Sequence, residues 1–331
     1  MSNLLIILCP PRSFSSVVST MIGQHPELYG FPELHLFTDE TVGDMLKGKE
    51  SKGKPAPAGL VRVLAQEMYG VQTTRTTLAA VEWIREHQSW TTKAVMDHLL
   101  DLIHPRIGVE KSPGTSRKAR YLDRCHTGYP DAYYLHLTRH PVSTRDSISE
   151  YFDFKAMKKS RRHGGADQAE SQRVEAKAAV DALLVWYRIH GNILRFTNGL
   201  PAGQLMRIKG EDILSEPDVY LPQVAAWMGV STAPEAIEKM KHPEDSPYAY
   251  TGPAPVYGGN DPKFMNNPRL RQGRIREPSL EGFLGEHEWH YAKDALRESL
   301  AAMVEEDGGT VPTDQEFLDE IMAMSHLMGY R

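Results

Sequence analysis

Residues Leu4-Leu5-Ile6-Ile7-Leu8-Cys9 form an unbroken apolar run that stops at Pro10-Pro11. A short apolar run without alternation reads as a strand buried on both faces. The loop Arg12-Ser13-Phe14-Ser15-Ser16 follows. Val17, Val18, Met21 and Ile22 then recur at helical spacing up to Gln24. The order is strand, polar turn, helix. A helix N-terminus presents unpaired N–H groups and partial positive charge. Arg12 adds a full charge, and Ser13, Ser15 and Ser16 add hydroxyl donors. The unit therefore predicts an anion site for a phosphate or sulfate at the start of an α/β domain.

A second unit of the same kind comes later. Residues 132–138 alternate apolar and polar and predict a strand. Arg139-His140-Pro141 then opens a helix over 142–151, with proline in the first turn. Arg139 and Ser147 could hold a second anion together. Short strands are also predicted at 106–109 and 204–208. Helices are predicted at 60–69, 77–87, 92–103 and 169–197, in a stretch opened by Glu211-Asp212, and twice at the C-terminal end. Strands alternating with helices indicate a mostly parallel sheet flanked by helices. Residues 26–37 read as a short connection. Residues 47–59 are mostly Lys, Gly, Pro and Ala, and read as a mobile flap. Residues 155–165 read as a solvated basic loop, and 245–278 as ordered irregular chain. No linker divides the sequence, so 1–331 reads as a single domain. Its flap lies at about 38–59 and a helical insertion at about 60–105.

The 331 residues carry a formal net charge of −5, which argues against bulk nucleic-acid binding. A local basic pocket for a small anion remains compatible with it. No apolar run approaches the ~20 residues of a membrane span, and Leu4–Leu8 lacks the flank of a signal peptide. Two cysteines, Cys9 and Cys125, give no disulfide framework and suit the cytoplasm. The initial methionine suits a free-standing chain. The histidines show no metal-ligand spacing, so no metal is expected. Gly43-xxxx-Gly48-Lys49 and Gly48-xxxx-Gly53-Lys54 nearly spell a nucleotide-binding glycine loop. Neither follows a strand, and neither has Ser or Thr after its lysine. A nucleotide kinase is disfavoured on that ground.

Two strand-to-helix anion sites suit a ligand with two separated anionic ends. Pro11-Arg12-Ser13-Phe14-Ser15-Ser16 resembles the loop that holds the phosphosulfate in PAPS-dependent sulfotransferases (PAPS is 3′-phosphoadenosine 5′-phosphosulfate). Arg139-x-Pro141, with Ser147 six residues on, resembles their 3′-phosphate motif. Glu110-Lys111-Ser112-Pro113 is similar to their E-K-[ST]-P segment. Met206–Ile213 is similar to a strand end of theirs, with Gly210 at a common tyrosine. Gly258-Gly259-Asn260-Asp261-Pro262 resembles a late G-D-P loop. The resemblance covers most of the chain, in order. Within the superfamily, Pro32-Glu33-Leu34-His35-Leu36 and the flap look most like the activating sulfotransferase domains of olefin-forming polyketide synthases.

The resemblance implies the sulfotransferase fold, with a P-loop-like parallel sheet. It also implies in-line sulfuryl transfer from PAPS, with PAP as product, to a hydroxyl of a largely apolar small molecule or an acyl chain. An acyl carrier protein is an expected partner for the latter. Glu33 is the implied base and His35 its rival. In an extended segment both side chains would share one face. His136 and His140 are weaker rivals. Arg12 and Lys111 would stabilise charge on the transferred group. Pro11, Arg12, Ser13, Phe14, Ser15 and Ser16 would hold the phosphosulfate, and Arg139 and Ser147 the 3′-phosphate. Arg271 and Arg274, in a basic run with Arg269 and Arg276, would close over that phosphate. Phe14 replaces the family's glycine, so it should keep an unstrained backbone or point away. Tyr69, Trp83 and Trp90 are candidates to line an apolar acceptor pocket. A sugar, phenol or amine acceptor, and a non-catalytic PAP-binding protein, are the alternative readings.

Overall fold

The structure is a computed structural model that describes residues 2–51, 56–151, 182–271, 273–280 and 314–331. Strand β1 (Leu4–Leu8) sits in the middle of the sheet, wholly buried, as an apolar run without alternation requires. It feeds helix α1 (Ser15–Gly23), whose Val18, Met21 and Ile22 reach the core at i, i+3 and i+4. Strand β2 (Leu28–Gly30) follows, then helices α2 (Val42–Glu50), α3 (Ala58–Tyr69), α4 (Thr74–Glu86) and α5 (Thr92–Ile103). Strand β3 (Ile107–Glu110), helix α6 (Ala119–Gly128), strand β4 (Tyr133–Thr138) and strand β5 (Leu205–Lys209) complete the sheet region.

The five strands run in the order β2-β3-β1-β4-β5. β1 pairs in parallel with β3 (Leu4 opposite Gly108) and with β4 (Leu8 opposite His136), and β2 pairs in parallel with β3. The predicted parallel α/β sheet is present. Crossing from β1 to β2 in one direction and from β4 to β5 in the other makes the β1/β4 boundary the topological switch point. Ligands of open α/β sheets bind there, beyond the strand C-termini.

The chain forms two compact units: residues 1–137 with 192–275, and 138–191 with 276–331. In the first, Leu5, Ile7 and Cys9 project from β1 into a core with α1 and with residues of the helices at 210–215, 217–228 and 234–240, among them Ile213, Val224 and Met240. Each such side chain contributes about 1.5–3 kcal/mol through burial. Cys9 and Cys125 are buried and unbridged; burial pushes the Cys9 thiol up to about 12 and Cys125 well above its usual range. In the second unit, Leu183, Trp186, Leu280, Phe317, Ile321 and Tyr330 pack together.

The helical insertion lies between β2 and β3. Helices α2, α4 and α5 start on threonine caps at Thr41, Thr73 and Thr91, which accept from Asp44 N, Thr76 N and Ala94 N, while α3 starts after Pro57. Two expectations need correction. Residues 26–37 include a strand, since Leu28 and Tyr29 bury against β3. Residues 47–50 are the last turn of α2, because Val42, Met45 and Leu46 give that helix a buried face. Residues 52–55, the basic run at 155–165 and the first part of the helix expected at 169–197 lie outside the described residues; Ala182–Thr197 is helical. Among the described residues no helix is long and apolar enough to cross a membrane.

Candidate active site

The loop after β1 takes a backbone that few residues adopt. Arg12 (φ 67°) and Phe14 (φ 59°) are both left-handed, which costs a non-glycine residue about 1–2 kcal/mol. Of the two arrangements expected for Phe14, an unstrained backbone or a side chain turned away, the backbone is not unstrained. Its ring packs on the core cluster, and its backbone takes the form a glycine would supply. The N-cap residue of α1, Phe14, has no side-chain cap bond, so this helix start offers its polarity to an anion. Ser13 is fully buried, and its Oγ has no hydrogen-bond partner among the described residues. An orphaned hydroxyl at an uncapped helix start fits a phosphate or sulfonate group.

Lys111, just beyond β3, has no exposed side-chain surface. Its ammonium donates to Ser16 Oγ (3.0 Å), Glu33 Oε1 (2.8 Å) and Asn260 Oδ1 (3.2 Å). One buried cation thus joins the anion loop to the carboxylate. Glu33 is a quarter exposed, and its Oε2 lies 3.4 Å from His35 Nε2. Burial alone would raise the Glu33 carboxyl. The Lys111 charge and the His35 and Lys111 hydrogen bonds outweigh burial and hold it at about 2. The side chains of Glu33 and His35 do meet, though not through an extended segment: His35 is left-handed at φ 57°, ψ 28°.

Two further segments fix Glu33. Its N–H donates to Gly259 O at 2.7 Å. On its other side, a Cβ at Gly59 of α3 would stand 2.2 Å from Glu33 O, so only glycine lets the helix start that close. Past Gly259, Asp261 pairs with Arg12, and its N–H donates to Ser16 Oγ at 3.1 Å. Asn260, Asp261, Gly59 and Gly259 were not among the residues singled out from sequence as site residues. The Gly258–Pro262 motif was the available signal for three of them.

Arg12, Ser16, Glu33, His35 and Lys111 are thus brought together. Ser15 lies buried at the start of α1, and Pro11 is half-buried. Arg271 and Arg274 are exposed, as are Arg269 and Arg276, and the described contacts give Arg271 and Arg274 no part in this network. His136 is buried in β4, where its Nδ1 accepts from Arg207 Nε at 3.1 Å. Trp83 and Trp90 meet edge to face at 5.6 Å, with Trp83 stacked between His87 and His98; Tyr69 stands exposed at the end of α3. In the second unit, Ser147 is buried, Arg139 is half-buried, and the Arg139 carbonyl accepts from Trp186 Nε1 at 2.8 Å. His140 packs edge to face on Tyr330 at 5.2 Å.

Comparison with known proteins agrees with this architecture. The sequence profile of the sulfotransferase family matches residues 5–234. The sulfotransferase domain from the curacin biosynthetic pathway is 22% identical, with a TM-score of 0.59 over 100% of this chain and 99% of that one. The sulfotransferase domain of the Synechococcus PCC 7002 olefin synthase is 20% identical, with a TM-score of 0.65 over 99% of this chain and 94% of that one. No curated protein matches the sequence.

Proposed function

The chain belongs to the sulfotransferase family, and from that premise we propose that it moves a sulfuryl group from PAPS to a hydroxyl of a largely apolar small molecule or acyl chain. The observation that carries the reading is the buried Lys111 ammonium shared between Glu33 and Ser16 of the anion loop. When bound, PAPS supplies the sulfuryl group and an anionic leaving group. Pro11–Ser16 and the α1 N-terminus would hold its phosphosulfate, and Arg139 and Ser147 its 3′-phosphate. The orphaned Ser13 hydroxyl and the uncapped helix start fit such a group. The two units are proposed to work as a single sulfotransferase domain. The sequence around Pro32–Leu36 favours an acyl chain as acceptor, delivered by an acyl carrier protein.

Sulfuryl transfer, like phosphoryl transfer, asks mainly for positioning and charge stabilisation. Glu33 takes the proton of the attacking hydroxyl. With Lys111 on it, the carboxylate is held at about 2 and is a weak base. An anion seated on the Pro11–Ser16 loop competes for the same ammonium. Moving Lys111 toward that anion takes away the charge that does most to lower the Glu33 carboxyl. Its basicity then rises when there is something to transfer. Arg12 and Lys111 meet the charge that develops on the departing phosphate. His35 Nε2 stands beside Glu33 Oε2 and can hold the proton next.

Glu33→Gln tests the base. Turnover with labelled PAPS should fall about 10²–10⁴-fold, while PAP binding by calorimetry is retained. Normal turnover by this variant removes Glu33 from the chemistry.

A further inference from the structure

Resting on the reading of Glu33 as base, the geometry points to Ser112 as a positioning residue. Anchored on Glu110, it fixes the His35 backbone so that the imidazole stays against Glu33. Successive residues after β3 face opposite ways. Lys111 goes to Glu33, while Glu110 and Ser112 turn to each other, the Ser112 hydroxyl donating to Glu110 Oε1. A serine has one proton to give. With that proton committed to Glu110, the oxygen is left as an acceptor, and the His35 backbone N–H donates to it at 2.9 Å.

Glu110 is an expensive residue to place where it is. Its side chain is fully buried, and its Oε2 has no hydrogen-bond partner among the described residues. Burial, its largest influence, pushes the carboxyl up to about 7. A buried carboxyl whose described side-chain bond is to Ser112 does little for packing that an apolar residue would not do better. Its visible effect is on the direction of that hydroxyl.

His35 needs such a hold. Its left-handed backbone (φ 57°, ψ 28°) is a conformation that persists only where the surroundings over-determine it. The chain that carries Ser112 also runs alongside the ring. A Cβ at Gly114 would lie 3.4 Å from His35 Nδ1, so the imidazole sits against a position with no side chain. Residues 110–114 thus meet both ends of His35: Ser112 accepts from its N–H, and Gly114 lies beside its ring. The outcome is the 3.4 Å approach of Nε2 to Glu33 Oε2.

The test compares Ser112→Ala, Ser112→Thr and Ser112→Cys with Glu33→Gln in the full chain. Turnover is read with labelled PAPS, PAP affinity by calorimetry, and folding by thermal denaturation. Ser112→Ala should lower kcat about tenfold or more, with PAP affinity retained, because the base–imidazole pair loses its alignment. Ser112→Thr keeps the hydroxyl and should restore most of the rate. Should Ser112→Ala fail to fold, Ser112→Cys replaces it, since a thiol of similar shape hydrogen-bonds weakly. Wild-type kcat in the Ala or Cys variant overturns the proposal. So does a parallel loss of kcat and PAP affinity, which marks a merely structural role. A dead Glu33→Gln beside a normal Ser112→Ala sinks the positioning role and leaves the base intact. A normal Glu33→Gln beside a slow Ser112→Ala sinks the Glu33 reading and leaves the hold on His35.

Discussion

The loops after β1 and after β4 open with similar chemistry, an arginine followed by hydroxyl residues at a helix start, yet they are built differently. The second uses Pro141 at the head of a helix, a regular start that stores no strain. The first holds Arg12 and Phe14 in left-handed backbone and leaves Ser13 buried without a partner among the described residues. Both loops are tied to distant chain: in the first, Lys111 and the Asp261 N–H bond Ser16 Oγ, and in the second, Trp186 Nε1 donates to the Arg139 carbonyl. Backbone strain is kept where geometry must be exact to within a fraction of a bond length; a loop that only grips a charge can be regular. Under the proposed function, the first loop would serve the reacting end of the donor and the second its anchoring end.

Substitutions in the two loops and in the residues packed on the first site should separate accordingly. Lys111→Met should have the largest effect. Turnover should fall about 10²–10³-fold, with a lower melting temperature, because Glu33 loses its charge partner. The pH response carries a second sign. In the wild type, the depressed Glu33 carboxyl contributes stability that is fully present above its ordinary pKa of 4.5 and is lost as pH falls toward about 2. Lys111→Met should reduce that acid-side loss, His35 still holding part of it, read from denaturation midpoints across pH 2–6.

Arg139→Ala should come next and look different. PAP binding should weaken by about 2 kcal/mol, roughly 30-fold, with kcat at saturating donor little changed. A collapse of kcat in this variant would erase the division of labour between the loops.

Gly59→Ala should be milder. Its methyl collides with the Glu33 carbonyl, and overpacking of this kind costs about 1–3 kcal/mol. Since the displaced backbone carries the proposed base, kcat should fall with PAP affinity retained. Phe14→Gly should do least. The relief of left-handed strain and the loss of ring burial oppose each other, each about 1–2 kcal/mol. Melting temperature and PAP affinity should therefore stay near wild type. A large loss of affinity would show that the ring shapes the anion loop.

How much of this was legible in the sequence depends on the range of the interactions. β1, the loop and α1 were readable because a six-residue apolar run, a proline stop and an i, i+3, i+4 pattern are local signals. β2 was not, since three residues carry no period. The end of α2 was misread because Lys47, Gly48 and Lys49 resemble loop composition, although Thr41 and the Val42, Met45, Leu46 spacing already marked a helix. Arg12 was legible locally as the charge of the anion loop, whereas Glu33, His35 and Lys111 were found through resemblance. Nothing local in the sequence says that Lys111 would bridge Glu33 to Ser16. Gly59 was invisible as a site residue for a different reason: its contribution is the absence of a side chain beside Glu33, and an absence has no sequence signature.

The buried thiols have a practical consequence. Cys9 and Cys125 lie out of solvent, and burial keeps both protonated far above neutral pH, so neither supplies the thiolate on which alkylation depends. The native fold is thus a silent background for thiol-directed probes. A single cysteine placed at an exposed position such as Lys263 or Arg274 would take a fluorophore alone, and would report on its own stretch of chain when PAP is added.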